Sequence, residues 1–295
     1  MATVNATRYS RSVSPKTRYV PLTHSWEHKE SSDYGDDDES TNIARTASPY
    51  RPIPSSMNVF YSWMAMKTLH VCGASKDERL YVVDVHTGYS GRKPLGTRPG
   101  LILHNGTSTK DPILAAICDE SQMAARFYTF NLNSVILLPP LSSGGAGSKK
   151  LVTEMMRART FGDHGFAFRF SVEVNRGDSL CREQFEWRSM KKGENAEAKD
   201  GGFKLVQVTP DTQEGSSSQP ATEDGSEILA LLSWTKKWWL THPFALQLKG
   251  SGLSGALGDR WTLTVVLTAL RIWVLRLNFR SNRGIISLAE SIRGK

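Results

Sequence analysis

The segment "DRWTLTVVLTALRIWVLRL", Asp259 to Leu277, is the most apolar stretch of the chain, and whatever precedes it must accommodate it. Arg260 and Arg271 bracket only ten uncharged residues, Trp261 to Leu270. A bilayer span needs about 20 apolar residues, so a membrane anchor starts short. The exception left open is a tail-anchored form in which Arg271 and Arg276 snorkel. A helix fits better. Asp259 follows Gly258 and is placed to cap the first turn. Leu263, Val266, Leu267, Leu270, Trp273, Val274 and Leu277 recur at helical spacing. Val265, Ala269, Ile272 and Leu275 fill most of the opposite side. A helix apolar nearly all round must be enclosed by protein or lipid. Burying about ten such side chains gains about 20 kcal/mol gross, an upper bound because the unfolded chain is partly collapsed.

The chain before it reads as strands. "RLYVVDV" and "GLILH" precede the tight-turn dipeptide Asn105-Gly106. "PILAAIC", "ARFYTFNL" and "SVILLPP" follow. The clearest alternation is "GFAFRFSVEV", with Phe166, Phe168, Phe170, Val172 and Val174 on one face. Then come "REQFEWRSM", "FKLVQV", "SEILALLSW" and "PFALQLKG". About ten strands with little helix between them favour antiparallel pairing. Closing that sheet around the terminal helix buries the helix and removes open strand edges. The expected architecture is therefore mainly β: a closed antiparallel barrel of about 10–12 strands enclosing a hydrophobic C-terminal helix.

Three polar, Gly/Ser-rich interruptions, "LSSGGAGSKK", "KKGENAEAKDGG" and "TPDTQEGSSSQPATEDGS", read as loops, the latter two as mobile hairpin connections. Residues 1–57 are rich in Ser, Thr, Pro and Arg, acidic at "DYGDDDES", and without sustained periodicity, so they read as a disordered arm. Ser14–Pro15 and Ser48–Pro49 are candidate phosphorylation sites. The expected layout is an arm over 1–57, a barrel over 58–279 with its helix at about 259–279, and a basic tail over 280–295.

The 295 residues carry 37 Lys/Arg against 29 Asp/Glu, a net charge of +8. The excess is not in the arm, which holds seven of each sign; residues 260–295 hold seven basic side chains against one Glu. Such a surplus favours anionic surfaces. "MATVNATRYSRSVSPKTRYV" has no apolar run of the secretory kind. Cys72, Cys118 and Cys181 are odd in number and lack metal-ligand spacing, a pattern of buried thiols in a reducing compartment. The expected location is the cytoplasm, peripheral at the cytoplasmic membrane face.

The order "HNGTSTKDPILAAICD", "REQFEWRSM", "FKLVQV", "SEILALLSWTKK", then "LKGSGLSGALGDRWTLTVVLTALRI" resembles the fungal Tubby C-terminal-like proteins, which belong with the LURP-one-related and phospholipid scramblase-like superfamily. The resemblance covers roughly Val59 to Asn278. It implies a twelve-stranded antiparallel barrel around a hydrophobic C-terminal helix, and an association with phospholipid or phosphoinositide headgroups. Asp259 stands alone where a scramblase-like calcium segment would be acidic, and no palmitoylation cluster of cysteines is present.

No P-loop, dinucleotide glycine fingerprint, G-x-S-x-G or His-Glu-x-x-His is present. Asp84 and His86 share a strand face and could form an acid–base pair; a hydrogen-bonded or surface pair is the reading preferred here. "GSGLSGALG" could cradle a phosphate at a helix N-terminus, but more simply lets the chain turn into the barrel. The sharpest candidate is "WTKKWWLTHP", a hairpin tip whose Lys236, Lys237, Trp238 and Trp239 combine cations for headgroups with indoles for the interfacial zone. Arg280 and Arg283 join them as lipid-binding candidates. The competing placement folds the tryptophans over a barrel end as a lid. The sequence thus points to a non-enzymatic module with no cofactor, metal or catalytic residue, meeting an anionic membrane surface. The alternatives are a protein-interaction scaffold acting through the arm, and a scramblase-like activity. No nucleic-acid-binding signature is present, so nucleic acid is not an expected partner.

Overall fold

A computed structural model of the chain describes residues 52–62, 68–122, 131–140, 151–161, 165–176, 179–208, 226–235 and 241–293, the side chains of 160, 161, 165 and 279–293 excepted. All of it belongs to the larger of the two units into which the chain divides, Ser40–Lys295. The expected disordered arm over 1–57 lies outside the described residues up to Arg51.

Twelve strands form the wall: β1 (Ser56–Tyr61), β2 (Thr68–Cys72), β3 (Arg79–His86), β4 (Gly100–His104), β5 (Ile113–Asp119), β6 (Ser134–Leu138), β7 (Val152–Phe161), β8 (Gly165–Arg176), β9 (Ser179–Met190), β10 (Gly202–Val208), β11 (Ile228–Trp234) and β12 (Phe244–Leu248). Each pairs antiparallel with its sequence neighbours, and β1 closes on β12 through Met57↔Leu246 and Val59↔Phe244, so the sheet is a closed barrel. Closure leaves no strand at an edge. A short helix α1 (Gly250–Leu253) turns the chain, and α2 (Asp259–Arg293) follows.

Helix α2 runs through the barrel. Every residue from Leu263 to Trp273 is buried, including those on the face opposite the main apolar stripe. It shares one core with inward-facing residues of the wall such as Phe170, Phe185, Trp187, Leu205, Leu246 and Ile136. The architecture is the one the apolar helix demanded. Among the described residues, no helix is long and apolar enough to cross a membrane.

The buried helix is not wholly apolar. Arg260, Thr264, Thr268 and Arg271 recur at steps of four, four and three, and therefore lie along one face. Each is tied down. Thr264 and Thr268 donate their hydroxyls to the carbonyls of Arg260 and Thr264 at 2.8 Å, and Thr268 Oγ1 accepts the indole N–H of Trp187 at 2.9 Å. Arg260 Nη1 donates to the Pro139 carbonyl, just past β6, while Arg271 Nε donates to the hydroxyl of Ser134, the first residue of β6. The spacing is self-consistent. Eleven helical steps from Arg260 to Arg271 and five strand steps from Pro139 to Ser134 each span about 16 Å. The helix is thus pinned antiparallel to β6 at both ends.

Several expectations need correction. The helix runs on to Arg293 instead of ending near 279, so residues 280–293 of the expected basic tail have a helical backbone. No Pro interrupts residues 280–293, and Ile285, Leu288 and Ile292 keep the helical period; Gly284 costs only about 1 kcal/mol. Strands β1, β2 and β7 are not among the runs that the sequence marks as strands. β2 has only five residues, and β7, "VTEMMRARTF", carries charges that break simple alternation. Phe166 is 43% exposed, unlike its buried partners Phe168 and Phe170, because β8 has reached the barrel rim. The "KKGENAEAKDGG" connection folds back on the wall and buries Ala198 against Met190 and Leu231. Cys72 and Cys118 are buried, but Cys181 is exposed. The "LSSGGAGSKK" loop and most of "TPDTQEGSSSQPATEDGS" and "ARFYTFNL" lie outside the described residues.

Candidate functional site at the outlet end of the barrel

The meander assigns each connection to one end of the barrel. Because every strand reverses its predecessor, odd-to-even connections lie at one end and even-to-odd connections at the other. Helix α2 enters from the end reached by β12, here the inlet, and leaves at the other, the outlet. Arg276 marks the outlet: its guanidinium lies 4.0 Å from the ring centre of Trp234, the last residue of β11. The Trp234 ring in turn meets Phe203 and Phe244 edge-on, at 6.2 and 6.3 Å.

The two ends differ chemically. The six outlet connections, 62–67, 87–99, 120–133, 162–164, 191–201 and 235–243, hold ten Lys/Arg against five Asp/Glu. They also contain Trp63, Tyr89, Phe127, Tyr128, Phe130, Trp238 and Trp239. The six inlet connections, 73–78, 105–112, 139–151, 177–178, 209–227 and 249–258, hold five basic against nine acidic residues and no Phe, Tyr or Trp. In sequence, the connections of one end are basic and aromatic, and those of the other are acidic and hold no Phe, Tyr or Trp.

Lys236, Lys237, Trp238 and Trp239 lie outside the described residues, but both feet of their connection are described. Trp234 pairs with Phe244, and Thr235 N–H reaches the Pro243 carbonyl at 3.5 Å. His242 stacks on Phe60 at 4.6 Å, and its Nε2 lies 3.0 Å from Asn58 Oδ1. Burial holds the pKa of His242 below the ordinary histidine value. Arg280 and Arg283 sit on the described helical backbone, their side chains outside the described set. They follow Arg276 in the same helix by four and seven residues. The fold therefore brings the feet of the hairpin and the departing helix to the same end, as one surface requires.

Asp84 and His86 have separate partners. Asp84 pairs with Arg92 at 3.1 Å, while His86 Nε2 lies 2.7 Å from the Gly96 carbonyl. The Gly-rich run is a turn: Gly250, Gly255 and Gly258 have positive φ, and the N–H and hydroxyl of Ser251 both bind the Glu227 carboxylate, at 2.6 and 2.8 Å. That carboxylate occupies the position an anion would take. Among the described residues, no group of three or more His, Cys, Asp or Glu is arranged to hold a metal ion.

Two polar clusters escaped the sequence reading, because their members are far apart in the chain. Near the outlet, Arg271 is buried against a buried Asp119, whose carboxylate also accepts the N–H groups of Ser121 and Asn131 at 2.9 Å. Burial draws the Arg271 pKa down, opposed by Asp119. Burial likewise pushes the neighbouring Cys118 thiol up to about 11. At the inlet, the β7–β8 ladder stops at Met156↔Phe170, although β7 began at Val152 and β8 continues to Arg176. Ion pairs bridge this seam. Arg182 of β9 grips both oxygens of Glu154 on β7 and reaches Glu173 of β8 at 2.6 Å; Glu173 also accepts from Arg260 Nε of the helix at 3.0 Å. Burial alone would raise the pKa of Glu173, but its own backbone N–H and the two guanidinium groups outweigh it, and the net shift is downward.

No family model, curated protein or solved structure matches the chain. The functional reading therefore rests on the molecule itself.

Proposed function

We propose that this protein is a non-enzymatic barrel of the Tubby, LURP-one-related and scramblase-like kind that associates peripherally with anionic phospholipid headgroups through its outlet end. The observation that carries the reading is the polarity of the barrel. Cations and interfacial aromatics together are what a membrane–water interface selects, and only the outlet connections combine an excess of basic residues with aromatic ones. Lys236, Lys237, Trp238 and Trp239 are the principal contacts, with Arg280 and Arg283 contributing charge from the helix. The Arg276–Trp234 contact supports placing both groups on one surface.

The fixed helix favours surface binding over a scramblase-like role in which α2 moves into lipid. Withdrawing α2 would strand Asp119 without Arg271 in an apolar interior, at a cost of several kcal/mol. Co-sedimentation with phosphatidylcholine vesicles, with and without phosphatidylserine, tests the reading. Binding should require phosphatidylserine, weaken with salt, and fall when Trp238 and Trp239 are both replaced by Ala while the fold is retained. Absence of binding by the parent protein, or binding indifferent to the double substitution, would remove the proposal. An interaction scaffold would then be the better reading, with the acidic 209–227 connection as its first candidate surface.

A further inference from the structure

The outlet connection 87–99 is built differently from an ordinary surface loop. His86, 2% exposed, meets the Gly96 carbonyl at 2.7 Å, and Gly96 N–H closes a turn onto the Arg92 carbonyl at 2.9 Å. The Pro99 carbonyl accepts from Asp119 N–H at 2.9 Å. Leu95, 3% exposed, plugs an apolar patch on the outer wall made by Ile102, Ala116, Cys118 and Val135. Arg92 pairs with Asp84 on β3. The loop is thus fastened to four strands, β3 to β6. Yet this fastened loop carries Tyr89 at 67% exposure, the most exposed large apolar side chain among the described residues. Arg92 beside it is 65% exposed despite its ion pair, and Lys93 is exposed too.

We infer that Tyr89, with Arg92 and Lys93, is a second, preorganised contact with an anionic phospholipid bilayer, separate in the chain from the 236–239 hairpin. The inference rests on the lipid reading above and extends it. A phenol ring with an apolar body and a polar tip suits the headgroup level, and adjacent cations suit anionic lipid. Anchoring the loop that carries such a ring lowers the ordering cost a floppy loop incurs on binding. The loop's charge has the sign of its end of the barrel, and the bilayer is the partner whose charge complements both.

An environment-sensitive probe tests this in the full chain. In a Cys181→Ser background, which leaves the buried Cys72 and Cys118, the fluorophore is attached at Tyr89→Cys or, as the inlet control, at Leu253→Cys, a position 56% exposed. Phosphatidylserine-containing vesicles should blue-shift the probe at 89 and leave that at 253 unchanged. Tyr89→Ala should weaken co-sedimentation of the otherwise unmodified protein roughly fivefold, and Tyr89→Trp should preserve it. If the parent binds vesicles while the probe at 89 stays in water, or if Tyr89→Ala binds as well as the parent, the second contact is wrong and the lipid reading survives. If the parent fails to bind phosphatidylserine vesicles, both fall.

Discussion

Arg271 of the central helix and Asp119 at the end of β5 form an ion pair at 3.1 Å with side chains only 2% and 0% exposed. Two charges removed from water gain little net stability together, but each is costly to leave alone. Asp119→Ala should therefore lose about 3–5 kcal/mol in urea unfolding, whereas Asp119→Leu combined with Arg271→Met should recover most of that loss. A double variant no better than the single one would mean that the pair sets the register of the helix and not merely its charge balance.

The seam between β7 and β8 should be the least stable part of the wall near the inlet. Arg182→Ala removes the bonds to Glu154 and Glu173 together. Hydrogen exchange should then rise at least tenfold over Val152–Met156 and Ser171–Arg176, with the paired segments beyond Met156↔Phe170 still protected. Arg176→Ala, which breaks the Glu183 pair on the same hairpin, should leave the seam unchanged.

Two histidines make stability depend on mild acid. Burial lowers the pKa of His70 and His242 from an ordinary value of 6.5, helped at His70 by Arg79 and Lys76. The unfolded chain therefore takes up protons first. Stability should be level above the ordinary histidine value and fall as pH drops through it. Urea midpoints between pH 8 and 5 should show this, with a shallower slope in His242→Gln.

Gly252 is needed for space. A methyl group there would stand 2.4 Å from the Leu229 carbonyl oxygen and 2.6 Å from the Trp261 ring, whereas Gly255 faces open space with φ of +74°. Gly252→Ala should destabilise by about 2–3 kcal/mol and Gly255→Ala by about 1 kcal/mol, measured by the same unfolding assay.

Much of the fold was legible in the sequence, because the all-round apolar helix and the period-2 runs are local patterns with one joint solution. Strands β3 to β6 and β8 to β12 each carry a short apolar or alternating run. β7 was not legible: Glu154 is buried only because Arg182, from another strand, neutralises it. Pairings across long stretches of chain, such as Arg271 with Asp119 or Arg260 with Pro139, leave no trace in local spacing. The functional surface falls between these cases. Lys236 to Trp239 stood out as a cluster, while Tyr89 did not, because its significance appears only when the meander assigns its connection to the basic, aromatic end.

The middle of α2 must stay inside the wall while the outlet end meets lipid. Hydrogen exchange over Leu263–Trp273, with and without phosphatidylserine vesicles, tests this most directly. Exchange as slow as global unfolding in both conditions is predicted. Fast local exchange in either, or protection lost on adding vesicles, would contradict it.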